Sequence, residues 1–174
     1  MSDAMADPQA EPAGTEVGKR RRDGELRFWL AGEALRNAEL RLAAQAATLQ
    51  SLEARAASLM QWSVTAVLAL LAILATHPEL QPAAERAGLM LAAAWGCAAR
   101  ATWPAEWGVA GYDPAELLED ASATELEVRE ACAKGYGDAI TANKARLASG
   151  GEWLRRAWVC FAAAPVAAFL GLRV

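Results

Sequence analysis

Apolar residues are distributed along this chain in two ways, as a periodic stripe and as unbroken runs, and the two alternate from one end to the other. From Glu25 to Arg55 there is no proline and a single glycine, and most residues are Ala, Leu, Glu, Arg and Gln, which lose little freedom in a helix. Phe28, Leu35, Leu42, Leu49 and Ala56 recur every seven residues, and Ala31, Ala38, Gln45 and Leu52 follow three positions behind the first four. This a/d pattern predicts an amphipathic helix over 25–55, packed on its own chain or on another copy as a coiled coil. Ala56 to Thr76 then holds 21 residues without one ionisable side chain, and no Gly or Pro separates it from the helix before. At about 1.5 Å per residue it is long enough to cross a hydrocarbon core of about 30 Å, so 56–76 is read as a first membrane span.

Pro78 and Pro82 mark a tight turn over 77–86. The next apolar run, Ala87 to Ala99, has 13 uncharged residues, and counting to Trp103 with Arg100 snorkelling gives a second span over 87–103, about 25 Å long. A turn-rich stretch, 104–123, follows, with a short helix expected at Pro114–Glu119 behind an Asp113 cap. Thr124-Glu125-Leu126-Glu127 carries the residues of a capping box and opens a second amphipathic helix over 124–153. Val128, Cys132, Tyr136, Ile140, Asn143 and Leu147 line one of its faces, and Gly150-Gly151 is expected to loosen its end. The segment 154–174, with 16 uncharged residues from Ala157 to Leu172 and an internal Pro165, is a weaker third span. The fold class is therefore all-α: an integral membrane protein with a transmembrane hairpin, a third span and two long cytoplasmic amphipathic helices.

Charge supplies an orientation. Eight Lys/Arg precede the first span, one lies in the hairpin turn, seven lie from Arg100 to Arg156 and one follows the last segment. The positive-inside rule puts the N-terminus and 100–156 in the cytoplasm of a bacterial inner membrane, and the turn and the C-terminus outside. Trp62, Trp103, Trp107, Trp153 and Trp158 all fall at the cytoplasmic interface on that plan. The two amphipathic helices both run toward the membrane and are expected to lie in parallel as a stalk, through Phe28, Leu35, Leu42 and Leu49 on one side and Tyr136, Ile140, Asn143 and Leu147 on the other. Residues 1–24, with Pro8, Pro12, Gly14, Gly18 and Gly24 and no apolar stretch of signal-peptide type, read as a disordered tail. Its basic run, Lys19-Arg20-Arg21-Arg22, reads as solvated charge beside a membrane, where anionic lipid would attract it.

Chemistry narrows the function by exclusion. The net charge of −4 leaves no uncompensated basic face for nucleic acid. Cys97, Cys132 and Cys160 have no CxxC or Cys/His spacing and read as small buried hydrophobes, and His77 sits at a helix exit. Glu119-Asp120 and Glu125/Glu127 do not converge on one helix face, and Ala148-Ser149-Gly150-Gly151 lacks the lysine of a phosphate loop. No catalytic residue, metal ligand or cofactor site is expected, and no enzyme. Within the spans, Gln61 and Thr65 lie four apart on one face, as pore-lining or interhelical groups, and Arg100 is the charge at the end of the second span.

A cytoplasmic amphipathic helix that enters a tight membrane hairpin, followed by a cytoplasmic helix carrying Tyr136, Ile140, Asn143 and Leu147, resembles the SLATT group of bacterial membrane proteins over roughly residues 25–155. The third apolar segment is additional to that group's two-span plan. The resemblance implies an effector of a conflict or antiphage system that oligomerises and permeabilises the inner membrane when a partner or nucleotide-signalling enzyme acts. The expected function is accordingly a self-associating, pore-forming or membrane-perturbing effector. The alternative is a non-conducting membrane scaffold whose stalk recruits a cytoplasmic protein.

Overall fold

A computed structural model describes residues 13–104, 106–109, 111 and 124–172, with side chains from residue 18 onward. Three helices account for most of it: α1 (Ala13–Thr76), α2 (Gln81–Ala101) and α3 (Glu125–Gly171), with a single 3-10 turn, Pro78–Leu80, between the first two. No strand occurs among the described residues. The expected short helix at 114–119 lies outside them.

Helix α1 runs unbroken for 64 residues, about 95 Å at 1.5 Å per residue, because nothing from Gly24 to Thr76 removes a backbone donor. It starts at Ala13, twelve residues before the expected start, so 13–24 are helical and only 1–12 fall outside the described part of the anticipated tail. The basic run is thereby moved: Arg22 stands about 50 Å along α1 from Ala56, at the far tip of the stalk. There Arg21 pairs with Glu25 at 3.4 Å, one turn away.

Helix α2 begins at Gln81, six residues ahead of expectation, because the 3-10 turn reverses the chain quickly and Pro82 occupies a first-turn position that needs no donor. His77 closes α1, its N–H bonded to the Ile73 carbonyl at 2.8 Å. Helix α3 opens on the anticipated capping box. Thr124 Oγ1 accepts from the Glu127 N–H, and the Glu127 carboxylate accepts from the Thr124 N–H at 2.8 Å. The helix passes through Gly150-Gly151 and Pro165 without interruption. Gly150 there allows close packing, since a Cβ would lie 3.2 Å from both the Ala101 carbonyl and Leu52.

Cross-contacts set the register. Arg27 meets Glu130, Gln45 meets the Ile140 carbonyl, and Trp62 meets Trp158, so α1 and α3 advance in parallel. Helix α2 is antiparallel to both: Ala98 packs with Leu59 and Ala157 at one end, and Ala83 meets Gly171 at the other. The result is a two-helix stalk built from the first part of α1 and of α3, joined without a break to a three-helix apolar bundle.

Two helices, α1 and α3, are long and apolar enough to cross a membrane. Helix α2 is not among them, since Gln81, Glu85 and Arg86 occupy its first two turns. In the most apolar 18 residues of α1 only 11% are buried, and in those of α3 22%. Those apolar stretches are thus unlike the interior helices of a water-soluble core, which are covered on most sides.

Candidate functional site: the stalk and its junction with the apolar bundle

The seam predicted for the stalk is occupied by the chain's own α3. Leu42, Ala38 and Tyr136 form a buried cluster, with Leu35, Ala139 and Ile140 packed against it. Phe28 lies under the Arg129 guanidinium, 4.3 Å from its ring centroid, and Leu49 and Leu147 are half-buried. Within the chain, this face of α1 is covered by α3. Gln45 reaches across to donate to the Ile140 carbonyl at 3.0 Å, while its own Oε1 is buried with no partner among the described residues. At the tip, Arg27 forms a two-bond pair with Glu130 at 2.6 and 2.8 Å, which pushes the arginine's pKa further up. The two Thr124 hydrogen bonds hold the Glu127 carboxyl below the ordinary carboxylate range.

Asn143 departs from its expected role. It is buried, but against the connecting segment instead of α1: it accepts from the Gly108 N–H at 3.0 Å and donates to the Gly108 carbonyl at 2.8 Å. Its amide thus mimics a strand partner for one residue of loop. Arg146, one turn further along, donates to the carbonyls of Glu106 and Trp103 and lies 5.7 Å from the Trp107 ring centroid. Only glycine fits at position 108, because a Cβ there would come within 2.6 Å of Ala139 Cβ. Neither the Gly108 contact nor the Arg146 clasp was legible in the sequence, since helical periodicity says which residues share a face but not what covers it.

Inside the apolar bundle, small side chains make the contacts. Ala56, Ala87, Ala94, Ala98, Ala157 and Ala164 are buried, as are Leu59 and Leu91. Ser63 is buried too and satisfies itself by donating to the Leu59 carbonyl at 2.8 Å. Large residues point outward: Leu68, Leu71, Leu89, Val159, Val166 and Phe169 are all at least half exposed. Gln61 and Thr65 share that outer surface, with the Thr65 hydroxyl bonded to the Gln61 carbonyl at 3.0 Å, so neither joins helices within the chain. Arg100 is exposed at the end of α2.

Cys97 and Cys160 are free thiols and half-buried instead of fully enclosed. Among the described residues no group of His, Cys, Asp and Glu is arranged to hold a metal ion. At the junction, Trp62, Trp158 and Phe161 form an aromatic cluster with ring centroids 5.7 to 6.5 Å apart. No protein-family model, curated protein or solved structure matches this chain.

Proposed function

We propose that the chain is a membrane-anchored helical scaffold that holds a rigid two-helix stalk about 40 Å long above a lipid bilayer. The observation that carries this reading is the inverted distribution of side-chain size in the apolar bundle. Alanines make most of the interior contacts, with Leu59 and Leu91 among them, while Leu68, Leu71, Leu89, Val159, Val166 and Phe169 face outward. In water that arrangement would expose large apolar surfaces, whereas in lipid close packing of small residues drives association and large residues meet acyl chains at no cost. With α1 and α3 crossing, α2 lies antiparallel between them over the same depth, and the Glu85/Arg86 end faces the opposite side from the stalk. The positive-inside balance then puts the stalk in the cytoplasm of a bacterial inner membrane.

The stalk offers a surface for recruitment. Leu26, Trp29, Leu30 and Leu40 are each more than half exposed and lie on the face of α1 turned away from α3. A partner, either a cytoplasmic protein or a second copy, would cover them.

The second reading is a self-associating membrane-perturbing effector of SLATT-like type, favoured by the outward position of Gln61 and Thr65. It has less support, because a conduit needs polar groups over most of the membrane's depth, and the same face continues as Leu68 and Ala72.

Topology reporters fused after Glu79, Asp120 and Val174 test the anchor, with outside, inside and outside signals expected. Induced expression of the full chain is expected to leave membrane potential unchanged. A collapse of potential that Gln61→Leu with Thr65→Leu suppresses would replace the scaffold with the pore, and an inside signal after Glu79 would remove the membrane reading altogether.

A further inference from the structure

At the junction, a groove between α1 and α3 changes character along its length. Its upper part, about 510 Å³, is lined by Ser51, Arg55, Gly151, Arg155 and Trp158 and contains no carboxylate. Neither Arg55 nor Arg155 makes an ion pair or hydrogen bond with a described residue, unlike Arg156, which is held by Glu152 at 2.5 Å. Two cations therefore line one space with no ion-pair partner among the described residues. Below Trp158 the groove continues for about 490 Å³ between Ala66, Leu70 and Ile73 on α1 and Ala162 and Pro165 on α3, with almost no polar surface. Residues 55, 62, 66, 70 and 73 follow one face of α1, so the two parts lie in line along the same α1–α3 seam, with the Trp62–Trp158 pair between them. Trp158 lines both parts, and its ring packs edge-on against Trp62 at 5.7 Å.

We propose that this groove is a binding site for one anionic phospholipid, with the phosphate between Arg55 and Arg155 and an acyl chain lying along Ala66, Leu70 and Ala162. The proposal rests on the membrane reading above. Charge complementarity selects the ligand: a zwitterionic headgroup would bring a compensating ammonium into a site with no acid to receive it, whereas an anionic headgroup leaves its phosphate charge for the two guanidinium groups. Guanidinium is suited to this work because its planar fork matches phosphate oxygens and it sheds water more easily than an ammonium. The acyl track explains why alanines line the groove where leucines line the rest of the outer surface. Bound lipid would tie α1 to α3 at the point where α1 passes from the stalk into the bundle.

The test reconstitutes the full chain into phosphatidylcholine vesicles containing a small fraction of acyl-brominated lipid, either phosphatidylglycerol or phosphatidylcholine, and follows quenching of tryptophan fluorescence. Brominated phosphatidylglycerol is expected to quench at concentrations on the order of tenfold lower than brominated phosphatidylcholine. Trp158→Phe should remove much of the difference. Arg55→Gln with Arg155→Gln should abolish the preference, and Arg100→Gln, which removes an exposed arginine outside the groove, should leave it intact. Ala66→Phe fills the acyl track without changing charge and should also abolish it. Soluble glycerophosphate at matched ionic strength should not displace the lipid. Equal quenching by the two lipids, a preference that survives the double arginine variant, or a preference insensitive to Ala66→Phe would each overturn the site. Displacement by glycerophosphate would assign the groove to a free phosphate ligand instead. Failure of the chain to float with the vesicles would overturn the membrane reading and this proposal with it, whereas flotation without lipid preference overturns this proposal alone.

Discussion

The stalk and the apolar bundle are made by the same two helices, yet they solve opposite packing problems. In the stalk, a narrow seam of Ala38, Leu42 and Tyr136 is enclosed, and its flanks are fixed by polar reach: Arg27 to Glu130, Gln45 to the Ile140 carbonyl and Asn143 to Gly108. In the bundle, alanines meet inside, Ser63 bonds to its own helix, and the large side chains point away. On the membrane reading proposed above, close approach of backbones would replace hydrophobic burial as the source of contact in the bundle.

A charge placed at two equally exposed positions puts this contrast to its severest test. Leu68 is 61% exposed in the bundle and Leu40 is 62% exposed in the stalk. Leu68→Arg is expected to cost about 3 kcal/mol of insertion free energy, because position 68 lies near the middle of the apolar run, and to shift the protein out of the membrane fraction. Leu40→Arg should change stability by less than about 0.5 kcal/mol. Equal tolerance of the two substitutions would erase the distinction between the regions.

The polar grip of the stalk is sharpened by Asn143→Leu. It keeps side-chain volume but leaves the Gly108 N–H and carbonyl without partners, so thermal unfolding in detergent should show a loss of about 2 kcal/mol. An unchanged melting temperature would mean that water replaces the amide freely and that the 103–109 segment is only loosely held. The close packing of the bundle is addressed by Ala98→Val. Position 98 is fully enclosed among Leu59, Leu154 and Ala157, and the added methyl groups should cost about 1 kcal/mol by overpacking. If the variant is instead more stable, the bundle contains unfilled space at its centre.

The smallest expected effect is a pH dependence at the tip of α3. Hydrogen bonds from Thr124 lower the Glu127 pKa, so the folded carboxyl stays ionised to lower pH than the unfolded one. The capping contribution is fully present above the unfolded value of about 4.3 and is lost as pH falls from there through the folded value. Hydrogen exchange at the first-turn amides of α3 should accelerate relative to mid-helix amides over that window. Glu127→Gln should abolish the pH dependence, and its persistence would assign the effect to another carboxylate.

Much of this architecture was legible because it depends on periodicity and length. The seven-residue repeat from Phe28 to Ala56, the 21-residue run after it, the proline-marked hairpin and the Thr124 capping box each constrain the backbone locally. The parallel pairing of α1 with α3 also followed, since two helices that both lead into apolar segments must run the same way. Boundaries were less legible. The start of α1 at Ala13 runs through Gly14, Gly18 and Gly24, whose low helix propensity argues for a break there.

The sequence by itself determined that the chain is helical, where its apolar runs lie and which residues share each helix face, because those properties follow from spacing along one chain. Only the tertiary structure decided what each face meets. It turned Gln61 and Thr65 outward, gave Asn143 to Gly108 instead of to α1, and brought Arg55 and Arg155 to one groove although they are far apart in the chain. The physical reason is that a helix offers several faces of similar character, and the choice among them depends on how closely a particular pair of backbones can approach.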